Sequence, residues 1–344
     1  MRFSDIQGQE RALHFLSQVI AKKKMPHAYL FTGIPGVGKK TTARALAMAL
    51  NCVSPQQGDA CGSCPSCRKI LHGNAPDFQL IQPEGNKIKI SQIRELNQEL
   101  SFAPLSARYR VFVICRSELM TAEAANAFLK TLEEPPPDNI FILTASEPLD
   151  LLPTVVSRCQ IVSFQPLPRA VVAGWIREKK GLSENDADII AGLSGGSLGR
   201  ALTMAESEFL EKREKWLERI AKLPTFPRGK ALGAAFTWAE ELRISEVRSG
   251  PESSSGTSVV LDIWKSWYRD LLVSKAGDGE NVLMNSDFSQ NLKKISKRLS
   301  IKNLGRSFHL IDRAQMELLE NRNSALVLEH LVLGLRELAG SGPG

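Results

Sequence analysis

The chain has 344 residues, 43% apolar and 24% charged, with a net charge of +7 and a pI near 9.1. That composition fits a soluble globular protein of two or three domains, and no apolar run is long enough to span a bilayer. Residues Met1-Arg2-Phe3-Ser4-Asp5 carry no signal-peptide core, so the expected compartment is the cytosol, where thiols stay reduced.

Residues 10–24 show an amphipathic helical period, and 28–32 form a short buried strand running into Gly33-Ile34-Pro35-Gly36-Val37-Gly38-Lys39. An alanine-rich helix is expected over 40–50. Four of the six cysteines then fall within sixteen residues, as Cys52, Cys61, Cys64 and Cys67, spaced C-x8-C-x2-C-x2-C. Strands are expected at 77–81 and 87–90 around a turn at 83–86, then a helix at 91–100 capped by Ser91. A strand at 110–114, a helix at 122–134, a strand at 139–144, a helical turn at 151–157 and a strand at 161–164 follow. Strands separated by helices predict a parallel sheet covered on both faces.

The pattern changes after Pro166-Leu167-Pro168. Short helices at 169–179, 183–193 and 197–205 predict a small helical domain. Beyond it everything reads as helix or loop, with apolar residues at helical spacing over 259–275, 304–319 and 324–338 and a flexible insertion at 250–256. The expected organisation is an α/β domain at 1–167 with the cysteine module at 52–67, a helical lid at 168–206 and a helical bundle at 207–340.

Gly33-x4-Gly38-Lys39 matches a phosphate-binding loop through its lysine, with the required strand before it and helix after it. Glycines let backbone N–H groups turn inward around phosphates, and the helix N-terminus adds a positive dipole. A chance Gly-rich turn is the competing reading. The candidate loop residues are Gly33, Gly36, Gly38, Lys39, Lys40 and Thr41, and the ligand class is ATP or ADP. Lys40 stands where a Ser or Thr hydroxyl would hold Mg²⁺, and Thr41 is rotated by about 100° along the helix from that position. The strand at 110–114 ends in Cys115 and Arg116 where P-loop ATPases place an Asp and a water-orienting carboxylate. Glu118 is nearby at the wrong offset. Two cations in place of a dication and its ligand disfavour Mg²⁺, so phosphate binding without hydrolysis is expected.

Four clustered thiolates can close a tetrahedral shell around Zn²⁺, and with no open position that zinc is structural. Two disulfides are the competing reading. Cys115 and Cys159 read as packed thiols. In Ser157-Arg158-Cys159 the arginine follows a helical turn at the domain edge, placed to donate a guanidinium to a neighbour's γ-phosphate, with a capping surface arginine as the alternative. The groups Lys22-Lys23-Lys24 and Lys293, Lys294, Lys297 and Arg298 read as solvated helix faces, with direct DNA contact as the alternative.

Taken together these residues resemble the AAA+ subunits of bacterial sliding-clamp loaders. Pro26-His27-Ala28-Tyr29-Leu30-Phe31 is similar to the strand leading into their phosphate loop. Ala124-Ala125-Asn126-Ala127-Phe128-Leu129-Lys130-Thr131-Leu132-Glu133-Glu134-Pro135-Pro136 resembles their most recognisable segment. Ser157-Arg158-Cys159 matches their SRC motif, the cysteine knuckle resembles their zinc module, and the last helices look like their ring-forming collar. The resemblance implies that Arg158 acts in trans, and it puts Gly199 where motor subunits carry a nucleotide-sensing arginine, with Arg200 one position later. The implied partners are gamma/tau motor subunits and a delta subunit in a hetero-oligomeric ring, the sliding clamp, and primed DNA through the complex, in a nucleoid-associated replisome and with no membrane. Loss of the loop threonine and strand-end acids with retention of the SRC arginine is similar to the non-motor kind of subunit. An active gamma/tau-type ATPase and a stand-alone zinc-containing nucleic-acid-binding protein are the alternatives. The long helical last third and the SRC arginine both argue against the second. No acidic pair suits nucleotidyl transfer, so polymerase chemistry would belong to a holoenzyme.

Overall fold

The computed structural model describes residues 2–22, 24–206, 208–249, 256–277, 282–320 and 322–340. Two compact units divide the chain: Met1–Val171 with Gly196–Arg200, and Val172–Gly195 with Ala201–Gly344. In the first, the described elements run α1 (Glu10–Ala21), β1 (Ala28–Thr32), α2 (Lys39–Leu50), α3 (Pro65–Leu71), β2 (Phe78–Ile81), α4 (Ile90–Glu99), β3 (Arg110–Ile114), α5 (Ala122–Glu133), β4 (Asn139–Ala145), α6 (Pro153–Val156) and β5 (Gln160–Ser163). The strands form one parallel sheet in the order β2-β3-β4-β1-β5.

Every residue of β1, β3 and β4 is buried, as expected of strands with helices on both sides. Alternate side chains serve the two faces. Tyr29, Phe31, Val111, Val113, Ile140 and Ile142 pack with Leu16 of α1, Leu46 and Met48 of α2 and Ile70 of α3. Leu30, Phe112, Ile114, Phe141 and Leu143 pack with Ile93 and Leu96 of α4, Phe128 and Leu132 of α5 and Val155 of α6.

Two local expectations are corrected. Residues 87–90 are not a strand. Ile88 makes a single bridge to Met120, donating its N–H to Leu119 O at 2.8 Å and accepting from Thr121 N at 3.0 Å, and Ile90 already belongs to α4. Ser91 does not cap that helix. Lys89 precedes it, and Gln92 Oε1 reaches back to accept the Lys89 N–H at 3.0 Å.

A buried ion pair fixes the loop between α4 and β3. Asp77 and Arg110 are 2% and 4% exposed, with Arg110 Nε 3.5 Å from Asp77 Oδ1. The Asp77 carboxylate accepts the N–H groups of Leu105, Ser106 and Ala107 at 2.8–2.9 Å. The Arg110 guanidinium donates to the carbonyls of Glu99, Phe102 and Ala103 at 2.7–3.1 Å. Burial alone would raise the Asp77 carboxyl, but those three N–H groups hold it below the usual carboxylate range.

The second unit is helical: α7 (Arg169–Lys180, whose first residues lie in the first unit), α8 (Glu184–Leu193), α9 (Leu198–Glu206, likewise shared), α10 (Phe209–Lys222), α11 (Arg228–Ser249), α12 (Gly256–Ala276), α13 (Ser289–Ser296), α14 (Ile301–Leu319) and α15 (Ser324–Gly340). Residues 250–255 of the expected insertion lie outside the described residues, and α12 begins at Gly256. Helix α11 packs on α15, and α14 on both α12 and α15. At the centre, Trp216, Trp238 and Trp264 meet edge to face with centroids 5.7–5.9 Å apart. Arg213, 3% exposed at its side chain, is held by Asp287 and by Asn285, and the buried Asp270 accepts the backbone N–H groups of Met284 and Asn285.

Candidate functional site

The Gly-rich loop lies at the carboxyl end of β1, where open parallel sheets bind ligands. Gly33 donates its N–H to Ser146 O at 2.9 Å, and with φ at 140° any Cβ there would come within 2.4 Å of Phe164 O. Gly36, at φ 76°, accepts the Gly199 N–H at 2.9 Å, and a Cβ on Gly199 would lie 3.0 Å from Gly36 Cα. The missing side chain of Gly199 is what lets this segment come so close to the loop. Gly38 is left-handed and opens α2.

Lys39 folds back on its own loop, donating to the carbonyls of Gly33 and, at 3.0 Å, Ile34. Burial lowers its pKa, opposed by the charge of Glu118. Lys40 is exposed and Thr41 half-buried, while the next residue, Thr42, is buried and donates to Gly38 O at 3.0 Å. Cys115 is buried; burial raises its thiol and the Lys40 charge opposes the rise.

Glu118 lies within the electrostatic reach of Lys39 despite its offset from the end of β3. Arg116 takes a left-handed conformation, φ 55° and ψ 54°, and donates its N–H to Thr144 Oγ1 at 3.0 Å. The chain reverses, Ser117 Oγ donates to Thr144 O at 2.9 Å, and a short 3-10 turn brings Glu118 back toward Lys39. Glu118 is only 21% exposed at its side chain, with Arg116 Nε 3.8 Å from Oε1 on the outside, and its Oε2 is buried without a hydrogen-bond partner.

The cysteine knuckle begins where α2 ends. Asn51 exchanges hydrogen bonds with the backbone of Tyr109 at 2.9 Å, rooting the knuckle beside β3. Cys64 caps α3, with Pro65 at its first position. Asp59 accepts from the N–H groups of Phe3 and Ser4 at 3.0 and 3.1 Å, which ties the knuckle to the start of the chain. The four Sγ atoms of Cys52, Cys61, Cys64 and Cys67 all lie within 4.8 Å of one another, and all four thiols are unbridged. A Zn–S bond of about 2.3 Å in a tetrahedron sets S···S at about 3.8 Å, so the donor set fits one Zn²⁺.

Three sulfurs already accept backbone N–H groups: Cys52 from Cys61, Cys61 from Cys64, and Cys64 from Cys67, at 3.2–3.5 Å. The N–H groups of Ser63 and Cys64 lower the Cys61 thiol to about 6. Metal analysis of protein purified without chelator is expected to give one zinc per chain, absent from Cys61→Ser/Cys64→Ser. Because bound zinc needs thiolate, retention should hold at neutral pH and weaken in acid as protons compete for the sulfurs. Full occupancy in the double variant would show that these cysteines are not the ligands.

Arg158 sits one turn beyond α6 and before the edge strand β5. Its Nη1 donates to Thr154 O at 2.9 Å and its Nη2 to Glu133 Oε1 at 2.6 Å, leaving the side chain 34% exposed. Cys159 beside it is pushed up to about 12 by burial.

A parallel strand, a Gly-rich loop and a helix opening on Lys39 define a P-loop α/β protein, here with a cysteine knuckle behind the loop helix and a helical second unit. A family model described as "DNA polymerase III, delta subunit" matches residues 8–168. The DNA polymerase III subunit delta′ of Bacillus subtilis is 32% identical over 330 residues, covering 96% of each chain. The DNA polymerase III subunit tau of the same organism is 27% identical over 336 residues, covering 92% of this chain and 58% of that protein. A solved structure of a DNA polymerase III gamma subunit-related protein from Thermotoga maritima is 19% identical with a TM-score of 0.49, covering 95% of this chain and 99% of that one. The chain belongs to the DNA polymerase III delta′ family.

Proposed function

We propose that this chain is the non-motor subunit of a bacterial clamp loader. It assembles with gamma/tau motor subunits and a delta subunit through residues 207–340, with 168–206 as a lid. The complex places a sliding clamp on primed DNA during replication in the cytoplasm. Arg158 serves the ATP of a neighbouring motor while this chain's own loop turns over none. The observation that carries the reading is the pairing of an outward edge arginine with a phosphate loop followed by an exposed Lys40 and faced by a buried Cys115 at the end of β3, where a hydroxyl and an acid would hold Mg²⁺.

Arg158 is held by a partly exposed carboxylate, and pairs of that kind contribute only ~0–1 kcal/mol. A neighbour's γ-phosphate offers a planar guanidinium a charge-assisted, bidentate acceptor, so the exchange of Glu133 for phosphate costs little. Zinc, when bound, cross-links the knuckle; the four cysteines hold it and leave no open position for water. Among the described residues no helix is long and apolar enough to cross a membrane.

One observation favours a second reading, an active gamma/tau-type ATPase: the inward carboxylate of Glu118 faces the loop lysine. Phosphate release separates the two. The isolated chain is expected to release none from MgATP above background, and its mixture with a motor subunit is expected to exceed the motor alone. Magnesium-dependent turnover by the isolated chain, abolished by Glu118→Gln, would establish the second reading.

A further inference from the structure

The positive charge of the chain is concentrated in one place. Residues 288–311 contain Lys293, Lys294, Lys297, Arg298, Lys302 and Arg306 and no Asp or Glu, so this stretch alone carries six of the net +7. All six side chains are exposed. The inward faces are made by other residues: Leu292 and Ser296 of α13, and Leu304, Ser307 and Ile311 of α14. Ser300 caps α14 by accepting the Asn303 N–H at 3.1 Å, which makes the turn between the two helices short and fixed. Lys275, at the end of α12, donates to Lys297 O at 3.4 Å and adds a seventh cation at the same corner.

Part of this arrangement costs stability. Lys302 lies in the first turn of α14, at the positive end of that helix's dipole, and Lys297 and Arg298 follow α13 directly, adding like charge beside Lys293 and Lys294, which alone gain from the negative end of the α13 dipole. Several other cations of the unit are matched: Lys212 with Glu208, Lys222 with Glu218, Arg313 with Glu317, and Arg228 with Glu337. Among the described residues Lys294, Lys297, Arg298, Lys302 and Arg306 make no ion pair. A face built only to be solvated would gain from mixed signs, as those pairs do.

We infer that the α13–α14 corner is a DNA-binding surface that grips the phosphate backbone without reading sequence. Ile301 is the one large apolar side chain exposed in the stretch, at 63%, no Phe, Tyr or Trp ring is exposed there, and the one exposed ring is the imidazole of His309. Against six cations the patch offers bases or a bilayer only one imidazole and one isoleucine, so ion pairing to phosphates dominates. The choice of DNA among polyanions rests on the clamp-loader reading.

The test titrates the full chain against a fluorescent primed-template DNA of mixed sequence, from about 50 to 200 mM salt. K294A/R298A/K302A/R306A is expected to weaken binding at least tenfold at the middle of that range. Its plot of log K against log salt should be shallower by about 0.9 for each phosphate that the variant no longer neutralises. K212A/K222A/R228A/R313A removes the same charge from the paired positions and is expected to stay within twofold of the parent. Equal weakening in both variants, an unchanged affinity in the first, or tighter binding of the parent to phosphatidylserine vesicles than to DNA would each overturn the proposal. Arg158→Ala serves as the separate arm: it should leave DNA affinity intact while motor stimulation fails. DNA binding through the patch by a chain that never stimulates a motor would sink the clamp-loader reading and leave the patch standing.

Discussion

Arg158→Ala is expected to slow ATP hydrolysis at the one adjoining motor site by about 10³-fold, measured in single turnover on the assembled complex, with assembly unchanged by size-exclusion chromatography. The size follows from what the guanidinium does. It adds positive charge where charge spreads over the equatorial oxygens of the transferring phosphoryl group, and it does so with a planar fork that matches two oxygens. Arg158→Lys keeps the charge and loses the fork, so it should recover only part of the rate. The ground-state cost of the alanine variant is small, because the Glu133 pair is partly exposed and the turn is also held by backbone hydrogen bonds from Ser157 and Arg158. Unchanged hydrolysis at the adjoining site would remove the trans role altogether.

Asp77→Asn should destabilise the α/β unit by about 3–5 kcal/mol, because it leaves the Arg110 guanidinium buried without its counter-charge. The asparagine also turns an NH₂ toward backbone donors, since all three N–H groups of Leu105, Ser106 and Ala107 need an acceptor. The sign with pH is fixed by the depressed folded-state pKa. The contribution is present above the unfolded value of about 3.9 and is lost as pH falls through the folded one, so wild type and variant should converge in acid. Hydrogen exchange of the β2 and β3 amides in the full chain reads the effect. A change below about 1 kcal/mol would mean that the pair does not hold this loop. The loop displays Phe102 and Leu105, 70% and 76% exposed, so its rigidity decides how those two side chains are presented.

The sheet is legible where apolar residues run continuously, as in 28–32 and 110–114, because strands covered on both faces need no alternation. The pattern misleads at 87–90, where Ile88 and Ile90 alternate but serve a lone bridge and a helix start. The phosphate loop and the cysteine cluster announce themselves by spacing, since each is built from one short segment. Glu118 does not. Its direction depends on a left-handed Arg116 held by Thr144, a partner 28 residues away. The closure of Gly199 on Gly36 is hidden for the same reason, being a contact between backbones far apart in the chain. Asp77 reads as the start of a strand, and nothing local shows that its carboxylate gathers a loop.

The three tryptophans at the centre of the helical unit have an optical consequence. The remaining two, Trp175 on α7 and Trp267 on α12, lie in the same unit, and the α/β unit contains none. Tryptophan fluorescence of the whole chain therefore reports on the helical unit, while release of zinc bound at the knuckle, read with a colorimetric chelator, reports on the other. One denaturation run, recorded at two wavelengths, follows the two halves of the molecule separately.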